Sequence, residues 1–437
     1  MPFTVKEILK MEVAPALGCT EPVAIALAAA AAASLLPQRG FDRLELWVDP
    51  NIYKNGIAVS IPGTGGLSGL DMAAALGALG GDPALSMQVL EPIGEAAVSQ
   101  AKQALAQGKV KVNLRREFGL YIKVVLSAGE DRAEAVVSEL HDNISYLALN
   151  GRELTDHPLL GGKQGSSANQ LAQMELWFKD LPLSDLLDMI DDFDQEDMDF
   201  LEQSVKVNLK LAEYGLKHGP GLGTGQALER LVRQGLIKKD MIVAAKMLAS
   251  AAADARMAGV KLPAMASAGS GNHGLTAVLP IWALRDYLEV DDAEVLKAVG
   301  LSHLVTGYVK AHTGRLSAVC GCSIAAGAGA AAGVTYLLGG SLHYIAGAII
   351  NLTSDLAGVI CDGAKASCAL KLSTAAGTAV QAALFALQGV SVQPTDGIVG
   401  GTLEQTTKNV GLLSTEGMVE TDRTILKIML EKHFAEY

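Results

Sequence analysis

Small side chains supply most of the apolar content of this chain, and that limits its fold more than any motif does. Residues 23–36 read VAIALAAAAAASLL and residues 323–334 read SIAAGAGAAAGV; half of the 437 residues are hydrophobic, yet only 5% are aromatic. Alanine favours the helix, and Ala and Gly surfaces let neighbouring backbones come close. The expectation is a set of closely packed helices. The stretch over 23–36 falls short of the roughly 20 apolar residues that a membrane span requires. Glu7, Glu12 and Glu21 precede or open it where a secretory signal would carry basic residues. A cytoplasmic protein with no membrane partner is expected. Acidic residues outnumber basic ones by 47 to 35, and no Lys/Arg cluster stands out, which argues against a nucleic-acid partner.

The length suggests two or three domains. Segments over 43–49, 57–61, 109–115, 119–126, 133–139 and 144–149 alternate or are rich in β-branched residues and read as strands, with helical stretches near 68–80 and 92–107. Two helices are predicted ahead of them, over 3–11 and 21–36, with Thr20 as N-cap and Pro22 in the first turn of the second. TDHPLLGGKQGSSA, residues 155–168, marks a boundary. Beyond it there is almost no strand signal, and helical periods recur. The fold class is therefore α+β: a small N-terminal α+β domain over 1–165, whose first helices are free to pack on the rest, and a larger all-helical domain over 166–437. Self-association as a homo-dimer through the small-residue helices is expected.

Five cysteines are present, Cys19, Cys320, Cys322, Cys361 and Cys368, and an odd number without an export signal does not suggest a disulfide framework. Cysteine also packs as a small hydrophobe, but four of the five fall between 320 and 368. Their spacings, C-x-C and C-x6-C, fit neither paired zinc knuckles nor a local iron–sulfur run. A cluster held by thiolates from separate loops remains open. It would use one cysteine of the first pair and both of the second, and an iron left without a protein thiolate would act as a Lewis acid.

A literal G-x-G-x-x-G at Gly269, Gly271 and Gly274 lacks the preceding strand that a dinucleotide site needs. Its polar content matters more. Ser267, Ser270, Asn272 and His273 sit in eight residues between apolar helices, where polar groups must be hydrogen-bonded or face a cavity, so a substrate loop is expected.

The strings MEVAPALGCTEPVAIALAAA, YKNGIAVSIPGTG, ASAGSGNHGLTAVLPI, HTGRLSAVCGCSIAAGAGA and GVICDGAKASCALK carry a resemblance along essentially the whole chain. Together they resemble the L-cysteine desulfidase family, related to the alpha chain of the iron–sulfur L-serine dehydratases. The resemblance implies a [4Fe-4S] enzyme, without pyridoxal phosphate, that takes a small amino-acid substrate and converts L-cysteine to pyruvate, ammonia and hydrogen sulfide.

By the same resemblance Cys361 and Cys368 match two cluster ligands. The third lies in CGC, where Cys320 keeps a spacing closer to that of the relatives than Cys322 does. Cys19 matches a family cysteine with a base or substrate-side role, and its place just before a predicted helix favours a thiolate, although Glu21 opposes it. A fourth cluster ligand or a buried thiol remain the alternatives for Cys19. Lys54 and Asn55, with Ser270, Asn272 and His273, are expected to hold the amino and carboxylate groups. Arg315 is expected either to pair with the carboxylate or to form an ordinary salt bridge. GCTEP, in place of the Ser/His-rich motif of the serine dehydratases, favours the desulfidase branch, and L-serine is the alternative substrate. A non-catalytic helical metal-binding protein is the other alternative.

Overall fold

The computed structural model describes residues 2–117, 119–160 and 167–435. Two hydrophobic cores organise it. The smaller lies under a sheet whose strands run in the order Val110–Leu114, Arg43–Val48, Tyr121–Ala128, Asp131–Ser138, Ile144–Leu149 and Arg152–Glu153. Only the first pair is parallel among the described residues. A parallel pair needs a crossover, and the helices Leu70–Gly80 and Glu95–Ala106 provide it. Alternation along Arg43–Val48 turns Leu44, Leu46 and Val48 inward, against the helix Thr20–Ser34 and its neighbours.

Thr20–Ser34 is buried from Thr20 to Ala33, and it runs so close to Leu70–Gly80 that a β-carbon at Gly77 would sit 2.2 Å from the Ala26 carbonyl oxygen. The alanine run is thus a core helix. Its start differs from the expectation: Cys19, not Thr20, occupies the N-cap, with extended backbone and no capping bond from its side chain.

The larger core is helical. At its centre Ala325–Leu337 is buried along nearly its whole length, packed among Asp292–Thr313, Gly271–Leu284, Leu342–Leu356 and Cys368–Leu387. The last of these is long and apolar enough to span a membrane by composition, but more than half of its apolar window is buried in the fold. The first helix, Val5–Glu12, joins this larger core. The final helix, Val419–Ala435, leans back on the smaller one through Leu426 and Leu430. The boundary expected at 165/166 lies outside the described residues.

Two local expectations are corrected. Residues 57–61 form turns, because the helix Pro50–Gly56, capped by the Asp49 carboxylate accepting from Asn51 N–H, runs directly into them. The polar segment after Ser270 is not a loop: the helix begins at Gly271, so Asn272 and His273 stand in its first turn.

Candidate active site

A short antiparallel pairing of Pro15–Ala16 with Ala264–Met265 sews the start of the chain to the segment before Gly271. Two more backbone bonds extend it, Ala266 N–H to the Ala14 carbonyl (2.8 Å) and Ala268 N–H to the Glu12 carbonyl (2.9 Å). Arg256 then bridges the Gly18 carbonyl and Asn272 Oδ1, which ties the residue before Cys19 to the first turn of Gly271–Leu284. A second pairing does the same for the later cysteines. Val319 and Ile360 form an antiparallel bridge, with Cys320 N–H donating to the Val359 carbonyl at 2.8 Å and Cys361 N–H to the Ala318 carbonyl at 2.6 Å. The two distant cysteine segments therefore lie side by side. Cys368 opens the helix Cys368–Leu387, and its sulfur lies 3.5 Å from Lys365 N–H.

These elements enclose a cavity of about 860 Å³. All five cysteines line it, and all are free thiols. Asn55, Ser270, Asn272, His273 and Arg315 line it too. Of the expected substrate residues only Lys54 is turned away: it is 2% exposed and its ammonium is taken by Asp422 in a buried ion pair. It anchors the C-terminal helix instead of reaching for a ligand.

Arg315 is also committed. Its Nε donates to Glu175 at 2.7 Å and its Nη2 to Glu12 at 3.2 Å, so the ordinary salt bridge is what forms. Burial pushes the Glu12 carboxyl above its usual range against the pull of Arg315, and Glu12 Oε2 has no partner among the described residues.

Electrostatics sharpen the picture. Burial pushes the Cys19 thiol up to about 12, with Arg256 opposing and Glu21 assisting, so the thiolate expected from the helix N-terminus is not the resting form. Cys322 shares a hydrogen bond with Cys320, which holds the Cys320 thiol below its ordinary value and Cys322 above. Cys368 and Cys361 push Cys322 up further, as neighbours of like charge do. Burial brings the Lys310 ammonium down to about 8, and among the described residues it has no ion pair. Burial, with Lys310 adding to it, brings His273 down to about 3, which leaves the ring neutral. The Ser267 carbonyl accepts from His273 Nδ1 at 3.2 Å, so that nitrogen carries the proton. The Nε2 lone pair then faces Gly321, where a β-carbon would be 2.5 Å from it and 3.1 Å from Lys310 Nζ.

Arg256, Lys310 and His141 are cavity residues that sequence reasoning did not assign. His141 comes from the turn between two strands of the sheet, with Nε2 3.9 Å from Glu21, whose two oxygens accept from Asn55 and Thr20. Arg256 and Lys310 had one visible signal, a cation inside an otherwise apolar helical period; nothing in the sequence tied His141 to the site.

Among the described residues no three His, Cys, Asp or Glu side chains are gathered for one metal ion. The donors suit a larger group: four thiols line the same cavity, three from the backbone-paired segments and Cys368 from a helix start, with Lys310, Lys365 and Lys371 close enough to balance thiolate charge. Thiolates bound to separate irons need not converge on one point.

The serine dehydratase alpha chain family matches residues 86–427 of this chain. A UPF0597 protein of Desulfatibacillum aliphaticivorans is 64% identical over 437 residues, the whole of both chains. The UPF0597 proteins of Desulfotalea psychrophila (60% over 433 residues, 99% of each chain) and Clostridioides difficile (44% over 424 residues, 97% of this chain and 98% of the relative) follow the same length.

Proposed function

This chain belongs to the serine dehydratase alpha chain family, and on that footing we propose that it is an iron–sulfur lyase eliminating hydrogen sulfide from L-cysteine. The observation that carries the proposal is the gathering of Cys320, Cys322, Cys361 and Cys368 with Cys19 around one cavity. Cys361, Cys368 and one of the CGC pair, Cys320 for preference, would hold a [4Fe-4S] cluster, with Cys322 hydrogen-bonded to Cys320 as companion. When bound, the cluster supplies Lewis acidity toward the β-substituent of the substrate.

The protein's own groups do the rest. His273, neutral and with its Nε2 lone pair toward the CGC loop, accepts a hydrogen bond from the substrate ammonium. Asn55 and the first turn of Gly271–Leu284 close the space around the amino acid. Cys19 is assigned to the α-proton. Burial keeps its thiol protonated in the resting site, and Arg256, the first of the groups that oppose that shift, would favour the thiolate that the step requires. Loss of sulfide and the α-proton leaves an enamine that hydrolyses to pyruvate and ammonia.

The family match favours L-serine as a second reading, whereas GCTEP at 18–22 favours L-cysteine. Anaerobically reconstituted protein assayed with both amino acids separates them. Pyruvate and sulfide from L-cysteine are expected; pyruvate from L-serine alone would replace the first reading with the second. Cys361→Ser should lose most of its bound iron, and full iron content in that variant would remove Cys361 from the ligand set.

A further inference from the structure

We propose that Arg256 receives the α-carboxylate of the substrate, an assignment that rests on the amino-acid lyase reading above. Arg256 ends the helix Met241–Met257, is 2% exposed and faces the cavity. Its partners among the described residues are neutral: Nη1 donates to Asn272 Oδ1 at 2.9 Å and Nη2 to the Gly18 carbonyl at 2.6 Å, while Nε has none there. A guanidinium has five N–H donors, so this one retains unused directions.

The nearby acids are engaged elsewhere. Asp254, two residues back on the same helix, accepts from Gly225 N–H through Oδ2 at 3.1 Å, and its Oδ1 makes no bond to Arg256. Glu12 pairs with Arg315, and Glu21 with Asn55 and Thr20. A buried cation that has no ion pair among the described residues is unfavourable, and a carboxylate entering the cavity supplies the missing partner.

Two further features fit that occupant. A β-carbon at Gly271 would lie 2.4 Å from Arg256 Nε and 2.9 Å from Nη2, so only glycine leaves room for the guanidinium in this position. The Gly18 carbonyl on Nη2 belongs to the residue before Cys19, so a carboxylate held by Arg256 brings its α-carbon beside the Cys19 thiol. Arg315, with both faces of its guanidinium committed to Glu12 and Glu175, lacks this vacancy.

The probes are L-alanine and L-alaninamide, which share the amino group and differ in the carboxylate. Their binding to anaerobic, cluster-loaded enzyme is measured by calorimetry. Wild type should prefer L-alanine by about 10- to 100-fold, the range of a charge-assisted bidentate contact. Arg256→Gln should bring the two affinities together, and Arg256→Lys should keep part of the preference. Asn272→Asp, nearly isosteric, puts a carboxylate on Arg256 from within and should abolish the preference with the guanidinium still present. That variant carries the test if Arg256→Gln does not fold. A wild type without the preference, or a folded Arg256→Gln or Asn272→Asp that keeps it, overturns the assignment. If wild type makes no product from cysteine or serine but its carboxylate preference depends on Arg256, the lyase reading fails and the receptor stands. Turnover of cysteine with an undiminished preference in the variants is the reverse case.

Discussion

Gly77→Ala tests whether backbone contact between small-residue helices positions the site. The added β-carbon would stand 2.2 Å from the Ala26 carbonyl oxygen and 2.6 Å from its Cα, both backbone atoms that no rotamer change can move. Ordinary contact between such atoms is about 3.5 Å, so Thr20–Ser34 and Leu70–Gly80 must part by about 1 Å. Overpacking of this kind costs about 3 kcal/mol at the upper end of its usual range, and the better helix propensity of alanine offsets about 1. The net loss is about 2 kcal/mol, which lowers the melting temperature by about 4–8 °C in a unit of 150–250 residues. Calorimetry of the reconstituted protein measures it. Gly358→Ala is the control, because nothing lies within 4 Å of the β-carbon it would add. Since the displaced helix carries Cys19 at its N-cap, kcat should also fall, by up to about 100-fold for a 1 Å shift. A Gly77→Ala protein that melts at or above the wild-type temperature would refute the backbone-contact argument.

Two further outcomes follow from buried charge. Lys54→Met leaves Asp422 buried without its cation and should destabilise the fold by about 3–5 kcal/mol, with Lys54→Met/Asp422→Leu recovering most of it; urea unfolding of both variants is the measurement, and equal loss in the two would rule out the ion pair as the cause. Burial holds His303 down to about 4 and is the only cause of the shift. Its neutral form therefore contributes full stability above the unfolded value of about 6.5, and this is lost as pH falls toward 4. At pH 5 the loss is about 2 kcal/mol. The stability of His303→Gln should fall less steeply than that of wild type between pH 6.5 and 4.5, and parallel pH profiles would contradict this.

Residue periodicity revealed the helical half and the strand-bearing half because burial follows it: Leu44, Leu46 and Val48 alternate inward, and the alanine runs are buried on every side. It failed where tertiary contacts override local signals. Residues 57–61 alternate like a strand but have no ladder to join, because the helix capped by Asp49 reaches Gly56. The stretch from Gly271 to Gly274 looks like a loop on glycine content. It is helical because close packing demands glycine: a β-carbon at Gly274 would lie 1.9 Å from the Met265 carbonyl oxygen. The cysteines were legible as a group, since their clustering is already in the chain. The cations were not. Arg256 and Arg315 cannot be ranked from sequence, because the difference between them is the presence of Glu12 and Glu175 beside one and of neutral oxygens beside the other.

That contrast also explains why the site needs both cores. Cys19 caps a helix whose body from Val23 on packs in the smaller core, while its own side chain, like those of Cys322 and Cys368, packs in the larger one. Their relative placement is therefore set by the ties between the cores, and these ties gather around the cavity. Arg256 bonds the Gly18 carbonyl, Lys365 Nζ bonds the Lys54 carbonyl at 3.0 Å, and Pro15–Ala16 pairs with Ala264–Met265. Gly363, two residues after Cys361, packs so tightly on Lys54 that a β-carbon would stand 2.4 Å from its carbonyl oxygen. Side-chain bulk at that position would push the Cys361 segment away from the smaller core and from Cys19. The small residues that first suggested close helix packing thus serve a second end, letting two cores meet at backbone distance where the thiols face each other.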